Sequence, residues 1–458
     1  MSIALESALP HARDHRDDDL QDLFTLLRQP SISAQNIGVQ ECAALEEALL
    51  QDAGFTTRRL TAPGHPVILG EWLEAPGKPT VLFYGHYDVQ PPDPLDLWLS
   101  DPFTPTVRDG RIYARGVADN KAQHFSHIAA VRHWLRANGS LPCNVKIMLE
   151  GEEEVGSPHL DTVVAANKEL LAADLVYTSD GPVTDDRYPE IVFGVRGDLY
   201  VELFATGANR DLHSGHWGGV APNPILALAR LLTTMIDKQN HVTIEGFYDN
   251  VRQPTPGALA AIEKLPFDTA ATIAGIGLTE MVPPTERSYA ERVMFQPTLS
   301  PAGIIGGYTG PGSKTVLPAK ASMKIDMRLV PDQTPDEIFA KVRAHVERYG
   351  EGITIERSDG GMLPSFTPVE HPLGDVVRAA LRAGFGAEPV SVPSAGGSLP
   401  DSVWTQTLGL PSFLVPYGAP EQANHSPNES YRVERLWQGI ETSIHLLDLL
   451  GDASYLEM

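Results

Sequence analysis

The stretch Thr80-Val81-Leu82-Phe83-Tyr84-Gly85-His86-Tyr87-Asp88 decides how the rest of the chain is read. A short apolar, β-prone run that closes in Gly-His-x-Asp predicts a buried strand with an imidazole and a carboxylate at its carboxyl end. In α/β sheets that edge is where ligands and metals are held. Residues two apart on a strand point to the same side, so the Asp88 carboxylate can buttress the His86 imidazole. A His and an Asp at a strand-to-loop turn can also do no more than cap backbone groups. The choice rests on whether other segments bring partners to His86.

Working outward, the pattern repeats. Residues 67–71 read as a strand, 122–138 as a helix, 144–149 as a strand running into Glu150-Gly151-Glu152-Glu153-Glu154, and 175–178 as a strand running into Ser179-Asp180-Gly181. Helices are expected over 20–27 and 39–53, and from Ser157 to about Leu171. Strand and helix therefore alternate from about 20 to 185, which predicts an α/β fold with a mostly parallel sheet and helices on both faces. From Gly197 the texture changes. Residues 198–206 and 320–330 alternate like half-exposed antiparallel strands, 223–238 and 335–349 read as helices, and 353–358 as a last edge strand. That mixture suits an inserted α+β domain. After Pro368 the α/β pattern resumes, with helices at 372–384 and 432–451 and strands near Val390 and over 411–415. The expected organisation is one α/β domain in two parts, 1–196 and 368–458, interrupted by an inserted domain over 197–367.

Composition bounds the function. With 458 residues, 42% hydrophobic and 21% charged, the chain is long enough for two domains with sizeable cores. The formal charge of −24 argues against a nucleic-acid surface. Cys42 and Cys143 cannot form a disulfide framework and are expected as buried, reduced thiols of a cytoplasmic protein. The first 19 residues, with His11, Arg13, Asp14, His15, Arg16 and Asp17, lack the apolar core of a signal peptide. No run approaches the roughly 18 apolar residues of a membrane span, so no membrane partner is expected.

Candidate partners for His86 follow at strand ends. Asp119 sits at the mouth of a helix, Glu153 and Glu154 follow one strand, Asp180 another, and His425 lies in Asn424-His425-Ser426-Pro427-Asn428-Glu429. Imidazoles mixed with carboxylates suit Zn²⁺ or Mn²⁺. A two-metal site needs one bridging ligand and several terminal ones, and two His with three acids meet that count. One glutamate is left over. Beside a metal, which lowers the pKa of bound water to about 7, such a carboxylate can act as a base. Competing motifs fail. Gly307-Tyr308-Thr309-Gly310-Pro311-Gly312-Ser313-Lys314-Thr315 has Ser313 where a phosphate loop needs Lys directly after Gly, and is expected instead as a loop near the substrate. There is no His-Glu-x-x-His and no Gly-x-Ser-x-Gly.

Taken together, Gly85-His86-Tyr87-Asp88, Arg115-Gly116-Val117-Ala118-Asp119-Asn120-Lys121, Glu150 to Ser157, Ser179-Asp180 and Asn424-His425-Ser426 resemble the di-zinc exopeptidases. That family includes carboxypeptidase G, aminoacylase-1, succinyl-diaminopimelate desuccinylase and the carnosinase-type dipeptidases. The resemblance covers nearly the whole chain, and leans towards the carnosinase-type and cytosolic nonspecific dipeptidases through Asp211-Leu212-His213-Ser214-Gly215, Met327-Arg328-Leu329-Val330-Pro331 and the size of the insertion. It implies two divalent metals per subunit, Zn²⁺ first, with Mn²⁺ or Co²⁺ as alternates. His86 and Asp180 would hold one metal, Glu154 and His425 the other, and Asp119 would bridge. Glu153 would be the general base and Asp88 would orient His86. A cis peptide is often found after the bridging aspartate, here Asp119-Asn120. His213 would reach the partner subunit's site in a homodimer formed through the inserted, lid-like domain, and stabilise the developing oxyanion. Arg328, with Gly396, Gly397 and Ser398, would hold the substrate's terminal carboxylate. The implied activity is hydrolysis of dipeptides or short peptides. An N-acyl-amino-acid deacylase is the alternative within the family, and a metal-free binding protein the alternative outside it.

Overall fold

The computed structural model describes residues 2–281, 287–358 and 360–452. The strands that frame the molecule are β1 (Thr56–Leu60), β2 (Val67–Trp72), β3 (Thr80–His86), β4 (Asn144–Glu150), β5 (Leu175–Thr178), β6 (Glu190–Val192), β7 (Gly197–Thr206), β8 (Thr298–Gly306), β9 (Lys320–Leu329), β10 (Ile353–Arg357), β11 (Val390–Val392) and β12 (Ser412–Leu414). Eight of them form one sheet in the order β1-β2-β4-β3-β5-β12-β6-β11. Its centre, β4-β3-β5-β12, is parallel throughout. Antiparallel pairs occur only towards its edges, at β1-β2, β2-β4 and β12-β6.

Alternation along β3 explains why this strand lies at the centre. Val81 and Phe83 enter one core, Leu82 and Tyr84 another, so both faces are covered. The larger core lies under the helices Ile3–Asp14, Arg16–Arg28, Ala122–Asn138, Pro372–Phe385 and Val433–Gly451. The smaller one lies under Leu160–Ala166 and Trp404. The chain thus adopts the expected α/β fold, with unequal helical layers.

Residues 197–357 carry a second, wholly antiparallel sheet in the order β8-β9-β7-β10. Leu199, Val201, Leu203 and Ala205 of β7 and Met323, Ile325, Met327 and Leu329 of β9 build a core separate from that of the large sheet. It is covered by Pro224–Met235 and Pro335–Tyr349. Asn223 and Thr334 cap these two helices through side-chain oxygens, each ahead of a proline in the first turn.

Three local readings change. The polar N-terminus forms the helix Ile3–Asp14, because Leu5, Ala8, Leu9 and Ala12 fall on one buried stripe between charged residues. The helix expected to run to about Leu171 ends at Ala166. The loop at 307–315 does not line the central cavity described below; Tyr308 is exposed and Thr315 lies beside His213. Among the described residues, no helix is long and apolar enough to cross a membrane.

Candidate active site

Parallel strands deliver their carboxyl ends to one edge of the sheet. His86 ends β3, opposite Glu150 at the end of β4, and Asp180 follows β5. Gly85 is required there. A Cβ at this position would lie 2.6 Å from the Cβ of His124, so only glycine lets the helix Ala122–Asn138 start against the strand end. Directly before that helix, Asp119 leaves helical geometry (φ −127°, ψ 88°), and its peptide bond to Asn120 is cis.

These segments bring the expected ligands together. His86 Nε2 lies 3.1 Å from Asp119 Oδ1 and 3.6 Å from Asp180 Oδ2. His425 Nε2 lies 3.1 Å from Asp119 Oδ2 and 3.1 Å from Glu154 Oε2. His86, Asp119 and Asp180 form one metal-competent group, Asp119, Glu154 and His425 another, and Asp119 belongs to both. Glu153 and Asp180 line the adjoining cavity with Asp119 and His425.

Asp88 holds two parts of this arrangement. His86 Nδ1 donates to the Asp88 main-chain oxygen at 3.1 Å, with the carboxylate at 3.3 Å, which leaves Nε2 facing Asp119 and Asp180. The same carboxylate accepts the backbone N–H groups of Glu153 (3.2 Å) and Glu154 (3.1 Å). One buried aspartate therefore sets both the imidazole and the glutamate turn.

Several supporting residues were not singled out from the sequence. Gln90 donates from its side chain to Glu154 Oε2 at 2.9 Å, and Asn424 donates to Asp119 Oδ2 at 3.1 Å. The fully buried Glu429 accepts from Arg115 (2.7 Å) and from the backbone N–H groups of Gly116 (2.9 Å), Ala118 (2.8 Å) and Asp119 (3.2 Å). It ties the loop of His425 to the loop of Asp119. Burial nonetheless pushes its carboxyl up to about 7, with Arg115 opposing. The only hint in the sequence was its place in the His425 motif. Arg196 is the other omission: its Nε donates to the Gly396 carbonyl at 2.9 Å, and burial beside the Arg328 guanidinium lowers it to about 10.

The electrostatics call for cations. Burial, reinforced by Asp180, Asp119 and Glu154, raises the Glu153 carboxyl well above the usual range. Hydrogen bonds to Asp119 and Glu154 hold the exposed His425 up at about 10. Five carboxylates (Asp88, Asp119, Glu153, Glu154, Asp180), buried or half-buried, face the two imidazoles of His86 and His425, a surplus of negative charge. Imidazole and carboxylate donors in two sets with one shared carboxylate fit a pair of hard-to-borderline divalent ions.

The remaining expected residues stand outside the two ligand groups. Arg328 donates to Ser398 Oγ at 2.9 Å and also approaches Asp326 and Asp198 at 3.3 and 3.8 Å. Ser398 and Gly396 line the cavity, whereas Gly397 does not. His213 is outside it: the side chain is exposed in the inserted region, accepting from the Gly215 N–H at 3.0 Å and lying 3.4 Å from Thr315 Oγ1.

Fold and site together define a metal-dependent hydrolase with its centre at the carboxyl edge of a parallel sheet. Residues 82–448 match the model of peptidase family M20/M25/M40, and the chain belongs to that family of metallopeptidases. It is 31% identical over 433 residues to the Beta-Ala-His dipeptidase of Homo sapiens, covering 92% of this chain and 83% of that protein. It is 30% identical over 398 residues to a Cys-Gly metallodipeptidase of Schizosaccharomyces pombe, covering 84% and 83%. Among solved structures, an M20 family metallo-carboxypeptidase from Sulfolobus solfataricus superposes with a TM-score of 0.84 at 34% identity, over 94% of this chain and 99% of that one.

Proposed function

We propose that the protein is a di-zinc dipeptidase that works in the cytoplasm as a homodimer, cutting the amide bond of dipeptides or short peptides. The observation that carries this reading is the pair of ligand groups sharing Asp119 beside Glu153 in one cavity. His86 and Asp180 would hold one ion and Glu154 and His425 the other, with Asp119 belonging to both groups. The chemistry that metal would supply there is Lewis-acid activation of water and of the scissile carbonyl. Glu153, beside both ligand groups in the same cavity, would take a proton from the attacking water and pass it to the leaving amine. Asp88 keeps His86 in the ligating orientation and holds the turn on which Glu153 and Glu154 sit. Arg328, with Ser398 and the Gly396-Gly397 backbone, receives the terminal carboxylate.

The domain assignment is part of the proposal: 197–367 is one inserted lid and dimerisation domain between catalytic parts 1–196 and 368–458. The exposed edge strand β8, with Ile305 70% and Ile304 52% exposed, supports a partner there, as does Val220 at 74%. His213 lies in the same region, from which it reaches the partner's site and hydrogen-bonds the developing oxyanion. The buried free thiols of Cys42 and Cys143 favour a reducing compartment.

A hydrolysis panel of dipeptides, tripeptides and N-acyl amino acids with Zn²⁺, Mn²⁺ and Co²⁺, together with metal analysis, tests the reading. Dipeptide cleavage with about two metals per chain is expected. Cleavage of N-acyl amino acids alone would make the protein a deacylase, and a metal-free, inactive protein would leave only a binding role.

A further inference from the structure

The cavity that opens on Asp119, Glu153 and Asp180 has a volume of about 650 Å3, which is ample for a dipeptide. Its walls are mostly apolar. Leu265, Phe267, Tyr289, Val293 and Met294 come from the inserted region and face Leu414 of the large sheet. Phe267 stacks on Tyr289 with ring centroids 4.6 Å apart, so this wall is a packed surface. Polar groups on the lining include Asp119, Glu153, Asp180 and His425 from the sheet edge, and Gly396 and Ser398 from the segment that follows Val392. Behind Gly396 and Ser398 stand two guanidiniums, Arg196 bonded to the Gly396 carbonyl and Arg328 to the Ser398 hydroxyl, both at 2.9 Å.

The 396–398 segment touches the apolar wall. A Cβ placed on Gly396 would lie 2.8 Å from Val293 Cγ1, so the backbone there runs against that side chain. In a peptide's last residue, carboxylate and side chain leave the same Cα. A carboxylate received at Gly396 and Ser398 therefore projects its own side chain onto Val293 and Met294. The residue before it lies across the scissile bond, which the reaction requires to sit at the candidate metal ligands. From this we infer that the enzyme selects dipeptides whose C-terminal residue is large and apolar, such as Phe or Leu. The inference rests on the dipeptidase reading proposed above and adds the substrate class.

The test uses the metal-loaded full chain and dipeptides that differ at one position. With Ala kept first, kcat/KM for Ala-Phe and Ala-Leu is expected to exceed that for Ala-Gly and Ala-Asp by about 10–100-fold, the range that burying one such side chain in an apolar pocket gives. Val293→Asp places a charge on the wall and should cut the ratio of Ala-Phe to Ala-Gly about tenfold; Val293→Ser, a milder change, should shift the ratio in the same direction by a smaller factor. Equal rates for Ala-Phe and Ala-Gly, or a preference that follows the first residue in Phe-Ala against Gly-Ala, overturn the inference and leave the dipeptidase reading standing. A panel in which no dipeptide is cut overturns both.

Discussion

The carboxyl edge of the large sheet and the exposed edge of the inserted sheet follow opposite rules. At the first, every candidate ligand is fixed by something else. Asp88 sets His86 and the glutamate turn, Glu429 sets the Asp119 loop, and Asn120 donates to the Ser179 carbonyl at 2.6 Å beside Asp180. At the second, β8 has a free side, Ile304 and Ile305 are exposed, and the exposed His213 side chain meets Gly215, His216 and Thr315 while its backbone pairs with Val316. A rigid metal site needs a supporting shell inside the chain. A residue that serves a partner's site has to stay uncommitted in its own. The contrast agrees with the division of labour proposed above, chemistry at the first region and a subunit contact at the other.

The sharpest way to test the braced side is to separate its two adjacent glutamates. Glu153→Gln should retain metal and lose turnover by about 10²–10⁴-fold, as removal of a general base does. Glu154→Gln should lose metal instead, because it removes a ligand. Metal analysis beside kcat reads both. Identical behaviour of the two variants would falsify the division of roles.

On the open side, His213→Ala should keep its metals and lose about 10²–10³-fold in kcat, the typical cost of one oxyanion donor. Mixed with Glu153→Gln, it should recover activity, because a heterodimer can pair an intact base with an intact partner histidine. No recovery after subunits have demonstrably exchanged would return His213 to a structural role. Ile305→Lys, aimed at the same edge, should shift the protein towards monomer in sedimentation and lower its activity with it. A monomer of full activity would show that the site needs no second copy.

How much of this was legible beforehand follows the same divide. β3 could be read because both of its faces are buried, and its apolar run stops at a glycine that the neighbouring helix demands. The metal-competent residues could be read because parallel strands all end on one side, so each polar cluster after a strand is a candidate. β8 escaped notice because it is mostly exposed and carries Pro301 and Gly303 beside an irregularity in register, leaving little alternation to detect. Glu429 and Arg196 were illegible as individuals. Their partners are backbone groups and a guanidinium hundreds of positions away in the chain, and such pairing leaves no local pattern.

Breaking Glu429 measures how far the bracing matters. Glu429→Ala strands the buried Arg115 guanidinium and frees three backbone N–H groups. Removing one partner of a buried ion pair costs about 3–5 kcal/mol. Chemical denaturation should register a loss of that size, and metal affinity should fall because Asp119 loses its support. A loss below about 1 kcal/mol, the range of an exposed pair, would mean that the two loops are held together by other contacts.

The smallest expected effect concerns the backbone that presents His425. Ala423, His425 and Asn428 all have positive φ (58°, 55° and 63°), a conformation that side chains other than Asn, Asp and Gly adopt at a cost. Asn428 offsets that cost by accepting from the Leu99 N–H at 2.8 Å and donating to the Leu97 carbonyl at 2.9 Å. Asn428→Gly removes those two bonds and keeps the conformation accessible. Asn428→Ala removes the bonds and adds the steric penalty. If the left-handed turn is imposed by the fold, the alanine variant should unfold about 1 kcal/mol more easily than the glycine variant, because the penalty outweighs glycine's greater freedom in the unfolded chain. Its weaker hold on His425 should also appear as the lower metal affinity of the two. An alanine variant as stable as glycine would mean that the loop relaxes when Asn428 is lost, and that His425 is held by its carboxylate partners alone.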